Sequence, residues 1–226
     1  MNKGIFITGT DTGVGKTVVA CGVARLLKSW GVKVGVMKPV CTGNQDDARQ
    51  LIRAAGVDDE LSLVNPQSFK AALAPNVAAA FERRVVNFDK IYTAYWALSK
   101  KYEVMVVEGV GGVKVPLGES TFVLDLIEAF RLPALVVSRA GLGTLNHTLL
   151  TLDALEKEKI PVIGILLNGG KGNTLAEKTN PETLQDYTTV QVFGHLKSNV
   201  SFRTHSAACA TALNRIPLLA RALKRL

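Results

Sequence analysis

The sequence predicts an α/β protein with a mostly parallel sheet covered by helices on both faces. Two observations carry this. The apolar runs are short and continuous, and they take turns along the chain with segments of helical spacing. A strand buried on both faces loses its in–out alternation, and a parallel sheet sandwiched between helices buries strands in that way. A third observation is that the glycine-rich and charged motifs follow directly on the apolar runs. In such sheets ligands sit beyond the carboxyl ends of the strands. With 226 residues, 47% of them hydrophobic and 20% charged, the chain can build a full core, and residues 1–226 are read as a single domain.

The elements follow in order. Residues 3–8 are apolar and bounded by Gly9, so they read as a buried strand. Residues 18–30 place Val19, Val23, Leu26, Leu27 and Trp30 on one helical stripe, which Gly31 stops. Residues 32–37 form a strand that ends at Lys38-Pro39. Asp46–Ala55 is a short helix stopped by Gly56. Residues 57–88 resist assignment, because Pro66 and Pro75 interrupt them. Helical spacing returns over 88–102, and 104–107 is a strand leading into Glu108-Gly109. Residues 122–130 read as helix, 134–137 as strand, 144–159 as helix and 162–167 as strand. A last strand over 190–196 and a terminal helix over 207–226 complete the pattern.

Composition excludes several classes of function. The net charge is +8, but the basic residues are spread along the chain. Only Arg221, Lys224 and Arg225 are locally dense, as at a solvated helix end, so no nucleic-acid partner is expected. The longest apolar run, 160–167, is too short to span a bilayer, and residues 4–7 are too few for a secretory leader, so no membrane association is expected. Cys21, Cys41 and Cys209 are scattered and odd in number, which argues against a disulfide framework and for a reducing, cytoplasmic setting. The three histidines lack metal-ligand spacing.

The strongest chemical signal is Gly9-Thr10-Asp11-Thr12-Gly13-Val14-Gly15-Lys16-Thr17, between a strand and a helix. Phosphates need unobstructed backbone N–H groups and the positive end of a helix. Lys16 adds a point charge and Thr17 a hydroxyl suited to Mg²⁺, which makes this a P-loop NTPase-like domain with five residues where four are usual. Glu108-Gly109-Val110-Gly111-Gly112 is the second signal: an acid at a strand end beside a phosphate loop supplies the oxygen that Mg²⁺ requires. The third is Lys38-Pro39-Val40-Cys41-Thr42-Gly43 with Asp46-Asp47. Lys38 is either an exposed turn lysine or a second cation near a γ-phosphate. Asp47 is either a Mg²⁺ ligand or a first-turn acid favoured by the helix dipole. Two weaker segments remain. The helix start Gly143-Thr144-Leu145-Asn146 suits an anion, or Thr144 is an ordinary cap. Asn168-Gly169 ends a strand and reads equally as a turn.

Taken as an ordered set, these residues resemble the dethiobiotin synthetase family. The loop at 9–17 is similar to that family's five-spacer phosphate loop, and residues 38–43 to its Lys-Pro-Val-x-Ser/Thr-Gly element. Asn65-Pro66-x-x-Phe69 with Pro75, residues 106–112 with Pro116-Leu117, residues 142–147, and Leu167-Asn168 match further elements. The resemblance covers about residues 3–170.

It implies a homodimer that joins ATP, CO₂ and 7,8-diaminononanoate with Mg²⁺. One amine captures CO₂ as a carbamate, the carbamate takes the γ-phosphoryl group, and the second amine closes a cyclic urea. It implies that Thr12, Gly13, Val14, Gly15, Lys16, Thr17 and Val18 bind the nucleotide phosphates, and that Thr17, Asp47 and Glu108 hold Mg²⁺. Lys16 and Lys38 would stabilise the transferring group. Thr42, Gly111, Gly112 and Val113 would meet the diamine, and Gly111 would touch the nucleotide as well. Gly143, Thr144, Leu145 and Asn146 would come from the partner chain to hold the substrate carboxylate. Asn168 and Gly169 would lie on the nucleotide-base side. The chain departs from the family at Gly194-His195-Leu196-Lys197, which lacks the expected proline, and at Ser201, where an acid is expected. A partitioning or septum-positioning ATPase is the competing reading. Those proteins carry a lysine early in the loop, where this chain has Asp11.

Overall fold

The protein was analysed as a computed structural model, which describes residues 3–198 and 206–226. Six parallel strands form the central sheet: β1 (Gly4–Gly9), β2 (Val34–Met37), β5 (Val104–Glu108), β6 (Ala134–Arg139), β7 (Val162–Asn168) and β8 (Val192–Leu196), in the order β2-β5-β1-β6-β7-β8. A small parallel pair, β3 (Val40–Thr42) and β4 (Gln67–Phe69), stands apart from it. The helices are α1 (Lys16–Ser29), α2 (Asp46–Ala55), α3 (Leu61–Val64), α4 (Pro75–Phe81), α5 (Phe88–Lys101), α6 (Val123–Phe130), α7 (Thr144–Lys157) and α8 (Leu175–Asp186). The last two are α9 (Ser206–Asn214) and α10 (Pro217–Leu223).

The sheet separates two apolar cores. Successive residues of β1 point to opposite faces, so Ile5 and Ile7 join one core and Phe6 the other. Helices α1, α2, α9 and α10 cover the first face, with Val19, Leu26, Leu27 and Leu213 buried. Helices α5 to α8 cover the second, where Tyr95 stacks on Phe130 at 4.0 Å between ring centroids. Both faces of β1, β2 and β5 are therefore dry, and of β6 up to Arg139, which is why these strands read as unbroken apolar runs. Because β1 pairs with β5 on one side and β6 on the other, the loop after it opens at the middle of the sheet's carboxyl edge.

Several expectations change. The terminal helix over 207–226 is two helices, because Pro217 has no N–H to continue the first and instead opens the second. The unassigned stretch 57–88 holds α3, β4 and α4, the last begun by Pro75. Helix α8 escaped notice because Pro181 lies inside it; a Thr174–Glu177 capping box starts it. Helix α7 stops at Lys157, and Lys159 turns with a positive φ of 55°. Among the described residues, no helix is long and apolar enough to cross a membrane.

Candidate active site

The phosphate loop begins where β1 ends at Gly9. Gly13 and Gly15 take φ of 78° and 93°, a left-handed backbone that a side chain would strain. Gly15 also sits where a Cβ would overlap the Asn168 amide nitrogen. It is the N-cap of α1, and no side chain caps the helix, so the first N–H groups are left for an anion. Lys16 folds back over the loop and donates to the Asp11 carbonyl at 2.8 Å. Burial, and then the nearby Lys38 charge, lower its pKa to about 8. The Asp11 carboxylate accepts from the Thr12 N–H at 2.7 Å and from Arg139 Nη2 at 2.7 Å. Asn168 Nδ2 donates to the Val14 carbonyl at 2.8 Å.

Lys38 follows the last residue of β2 and is buried, so its reading as an exposed turn lysine is overturned. Its backbone is fixed on both sides: its N–H donates to Val64 O at 2.9 Å, and Asn65 Nδ2 donates to its carbonyl at 2.7 Å. Its ammonium donates to Glu108 Oε1 at 2.6 Å, Asp47 Oδ2 at 2.9 Å and the Gly109 carbonyl at 3.1 Å. The Thr17 hydroxyl donates to the same Glu108 oxygen at 2.7 Å. Burial opposes charge on Lys38, but Glu108 and Asp47 overcome it and raise its pKa. Burial also opposes the Asp47 charge, and Lys38 with the Thr17 hydroxyl holds that carboxyl below the usual range. Glu108, at 1% exposure, is pushed up by burial against the pull of Lys38.

These oxygens suit Mg²⁺. Glu108 Oε2 is buried and has no hydrogen-bond partner among the described residues, although Oε1 has two. Asp47 and Thr17 converge on the same spot. Among the described residues, no group of three or more acidic, cysteine or histidine side chains is placed to hold a metal ion, but Mg²⁺ needs only one or two carboxylates beside substrate phosphates.

Two spaces flank the loop. A cleft of about 730 Å³ holds Lys16, Thr17, Lys38, Thr42, Asp47, Glu108 and Gly111. It also takes in Cys41 of the 38–43 motif, and Asn44, Gln50 and Leu73, which carry no motif in the sequence. A second space of about 540 Å³ lies toward β6 and β7, with Arg139, Asn168, Gly169 and Ser198. Thr12, Gly13, Gly15 and Val18 line both, and Val14 the second. Gly112 and Val113 fall outside the main cleft and line a shallower groove with Thr10, Asp11 and His147.

Residues 143–146 line none of these spaces. Gly143, at φ 89°, caps α7, so Thr144 is not the cap; it is the first helical residue and is buried. Asn146 is exposed. Near the base side, the His195 ring hydrogen-bonds the Gly169 carbonyl. Ser201 lies outside the described residues.

A parallel sheet with a glycine loop at its centre, a lysine and hydroxyl at the following helix start, and a buried acid on the neighbouring strand defines a P-loop nucleotide-binding protein built for phosphoryl transfer. A family model described as an AAA domain matches residues 3–205. ATP-dependent dethiobiotin synthetase BioD of Endomicrobium trichonymphae is 46% identical over 85% of this chain and 91% of its own. The BioD proteins of Methanocaldococcus jannaschii and Bacillus subtilis strain 168 are 42% and 39% identical over 88% and 85% of this chain, and 95% and 86% of theirs. The chain belongs to the ATP-dependent dethiobiotin synthetase family. Solved structures of the cell division ATPase MinD from Pyrococcus furiosus (18% identity, TM-score 0.61, 100% of this chain and 99% of that one) and of the Aquifex aeolicus MinC:MinD complex (15%, 0.63, 99% and 96%) share the fold. At such identity the likeness extends to the fold alone.

Proposed function

We infer that this chain, as one ligase domain over residues 1–226, makes dethiobiotin from 7,8-diaminononanoate, CO₂ and ATP, with release of ADP and phosphate. The observation that carries the residue assignments is the meeting of two buried lysines from different elements at one cleft, with Glu108 from the end of β5 and Asp47 from the first turn of α2 beside them. Thr12 to Val18 would cradle the phosphates. Thr17, Asp47 and Glu108 would hold Mg²⁺, which supplies charge neutralisation at the phosphate oxygens.

Lys38 stays protonated, because two carboxylates face it. It therefore works as a fixed positive charge beside the carbamate and the transferring phosphoryl group, and takes no proton from the amine. Lys16, resting on a backbone carbonyl, is free to exchange that partner for a phosphate oxygen. Thr42 and Gly111, which line the same cleft, would meet the diamine. Gly112 and Val113 would meet it only at the groove beside the cleft. Asn168 and Gly169 would flank the base.

The exposed start of α7 supports a homodimer. Residues Gly143, Thr144, Leu145 and Asn146 do not line their own cleft, and Leu142 beside them is 90% exposed. The helix start, which no side chain caps, is thus available to a partner's substrate carboxylate. The cytoplasm is the proposed setting, in keeping with three free cysteines. The test is phosphate release with and without diaminononanoate, in the wild type and in Lys16→Ala. Diamine-dependent release that falls by at least about 10²-fold in the variant is expected on losing a preorganised charge contact. Release indifferent to diamine would overturn the reading.

A further inference from the structure

We propose that Arg139 and Asn168 are positioning residues that brace the phosphate loop from outside, one at each side of its tip. The proposal rests on the loop binding a triphosphate, as read above. Arg139 and Asn168 face each other as register partners at the ends of β6 and β7. Each reaches across to the loop. Arg139 grips the Asp11 carboxylate at 2.7 Å, and Asn168 donates to the Val14 carbonyl at 2.8 Å. These contacts join residues 128 and 154 positions apart in the chain.

Asp11 is the node of the arrangement. Its carboxylate takes the Arg139 guanidinium and the Thr12 N–H, while its carbonyl holds the Lys16 ammonium. Without Arg139 the carboxylate keeps its charge beside the path of an incoming polyanion, and the turn at residues 11–12 loses one of its ties. The far side is equally constrained. Asn168 stands where any Cβ on Gly15 would go, so the loop and the amide fit each other closely. The strand ends are themselves anchored: Ala140 N donates to Asn168 O at 3.2 Å, and Asn180 Nδ2 from α8 donates to Ala140 O at 2.8 Å. A preorganised anion cradle binds better because its N–H groups need not be ordered by the ligand.

The Arg139–Asp11 pair is about half exposed on both sides, so it contributes little to folding. Its effect is read in phosphate binding. Because neither contact involves a base, the Arg139 loss is blind to the nucleotide base, and the bracing part of the Asn168 loss is the part that base-free tripolyphosphate also shows. This separates bracing from base reading at Asn168.

The experiment measures KM for ATP and GTP, and binding of inorganic tripolyphosphate, in Asp11→Asn, Arg139→Gln, the double variant, Arg139→Lys and Asn168→Ala. Thermal midpoints report the fold. Arg139→Gln is expected to weaken all three ligands alike by about 5-fold, with kcat and the diamine KM within about 2-fold. Asp11→Asn, which removes the carboxylate together with the ion pair, should cost less, and the double variant should cost no more than Arg139→Gln. Arg139→Lys should stay near wild type. Asn168→Ala should weaken all three by about 10-fold, the scale of one lost hydrogen bond. Unchanged tripolyphosphate binding in Arg139→Gln and Asn168→Ala, losses confined to ATP, or additive costs at Asp11 and Arg139 would overturn the brace. Tripolyphosphate binding does not depend on ring closure, so a wild type that binds it yet makes no dethiobiotin would count against the ligase reading and leave the brace standing.

Discussion

The Lys38 ammonium and the Glu108 carboxylate meet at 2.6 Å, both almost wholly buried, one step beyond the Met37–Val107 register pair of β2 and β5. Burying two charges costs several kcal/mol each, and their attraction offsets this only while both are present. Lys38→Met should therefore lower stability by about 3–5 kcal/mol, a midpoint shift on the order of 10 °C for a chain of this size. Adding Glu108→Gln removes the stranded charge and should recover most of that loss. Thermal melts of the two variants check this. Equal or greater instability in the double variant would mean that the pair is not coupled in this way.

Glu108→Gln and Asp47→Asn keep side-chain shape and remove charge. Outer-sphere partners of a metal commonly cost 10–100-fold in affinity, and a direct ligand should cost at least about 10-fold. Each variant should need correspondingly more Mg²⁺ for half-maximal activity. Superimposable Mg²⁺ titrations would make both residues partners of Lys38 alone.

Mixing Lys16→Ala chains with Asn146→Ala chains tests the dimer. If residues 143–146 serve the neighbour's site, each hybrid pair holds one intact site, and activity should rise above the sum of the separate variants. Light scattering that gives a monomer under conditions of full activity would contradict the shared site.

Base selectivity should be weak. The amide nitrogen of Asn168 is committed to the loop, and the His195 ring to Gly169, which leaves the Asn168 oxygen as the one group of this pair that could accept from a base. Discrimination depends on buried polar groups that go unpaired with the wrong ligand. GTP, CTP and UTP should support the reaction within about 5–30-fold of ATP in kcat/KM, equivalent to about 1–2 kcal/mol. A preference for ATP above about 10³-fold would reveal a base pocket that these contacts do not account for.

Much of this was legible in the chain itself. Residues 3–8 and 104–107 advertise themselves as strands because neither face meets water. Glycines and Lys16-Thr17 mark the loop because phosphate binding constrains a contiguous stretch. The rest was hidden for physical reasons. Pro181 masks a helix held by its capping box and by Leu184 in the core. Asn65 gives no local sign that it fixes the Lys38 carbonyl, 27 positions away. The ties from Arg139 to Asp11 and from Asn168 to Val14 exist only once β1, β6 and β7 lie side by side. Lys38 was ambiguous because a strand-end lysine reads alike whether it faces water or two carboxylates.

The central claim is that one cleft couples phosphoryl transfer from ATP to closure of a urea ring. The direct test supplies purified protein with ATP, Mg²⁺, ¹³C-bicarbonate and 7,8-diaminononanoate, and follows phosphate release together with product mass. The account predicts labelled dethiobiotin carrying one ¹³C, formed in step with one phosphate. Phosphate released without a labelled cyclic product, or none released on adding the diamine, would contradict it.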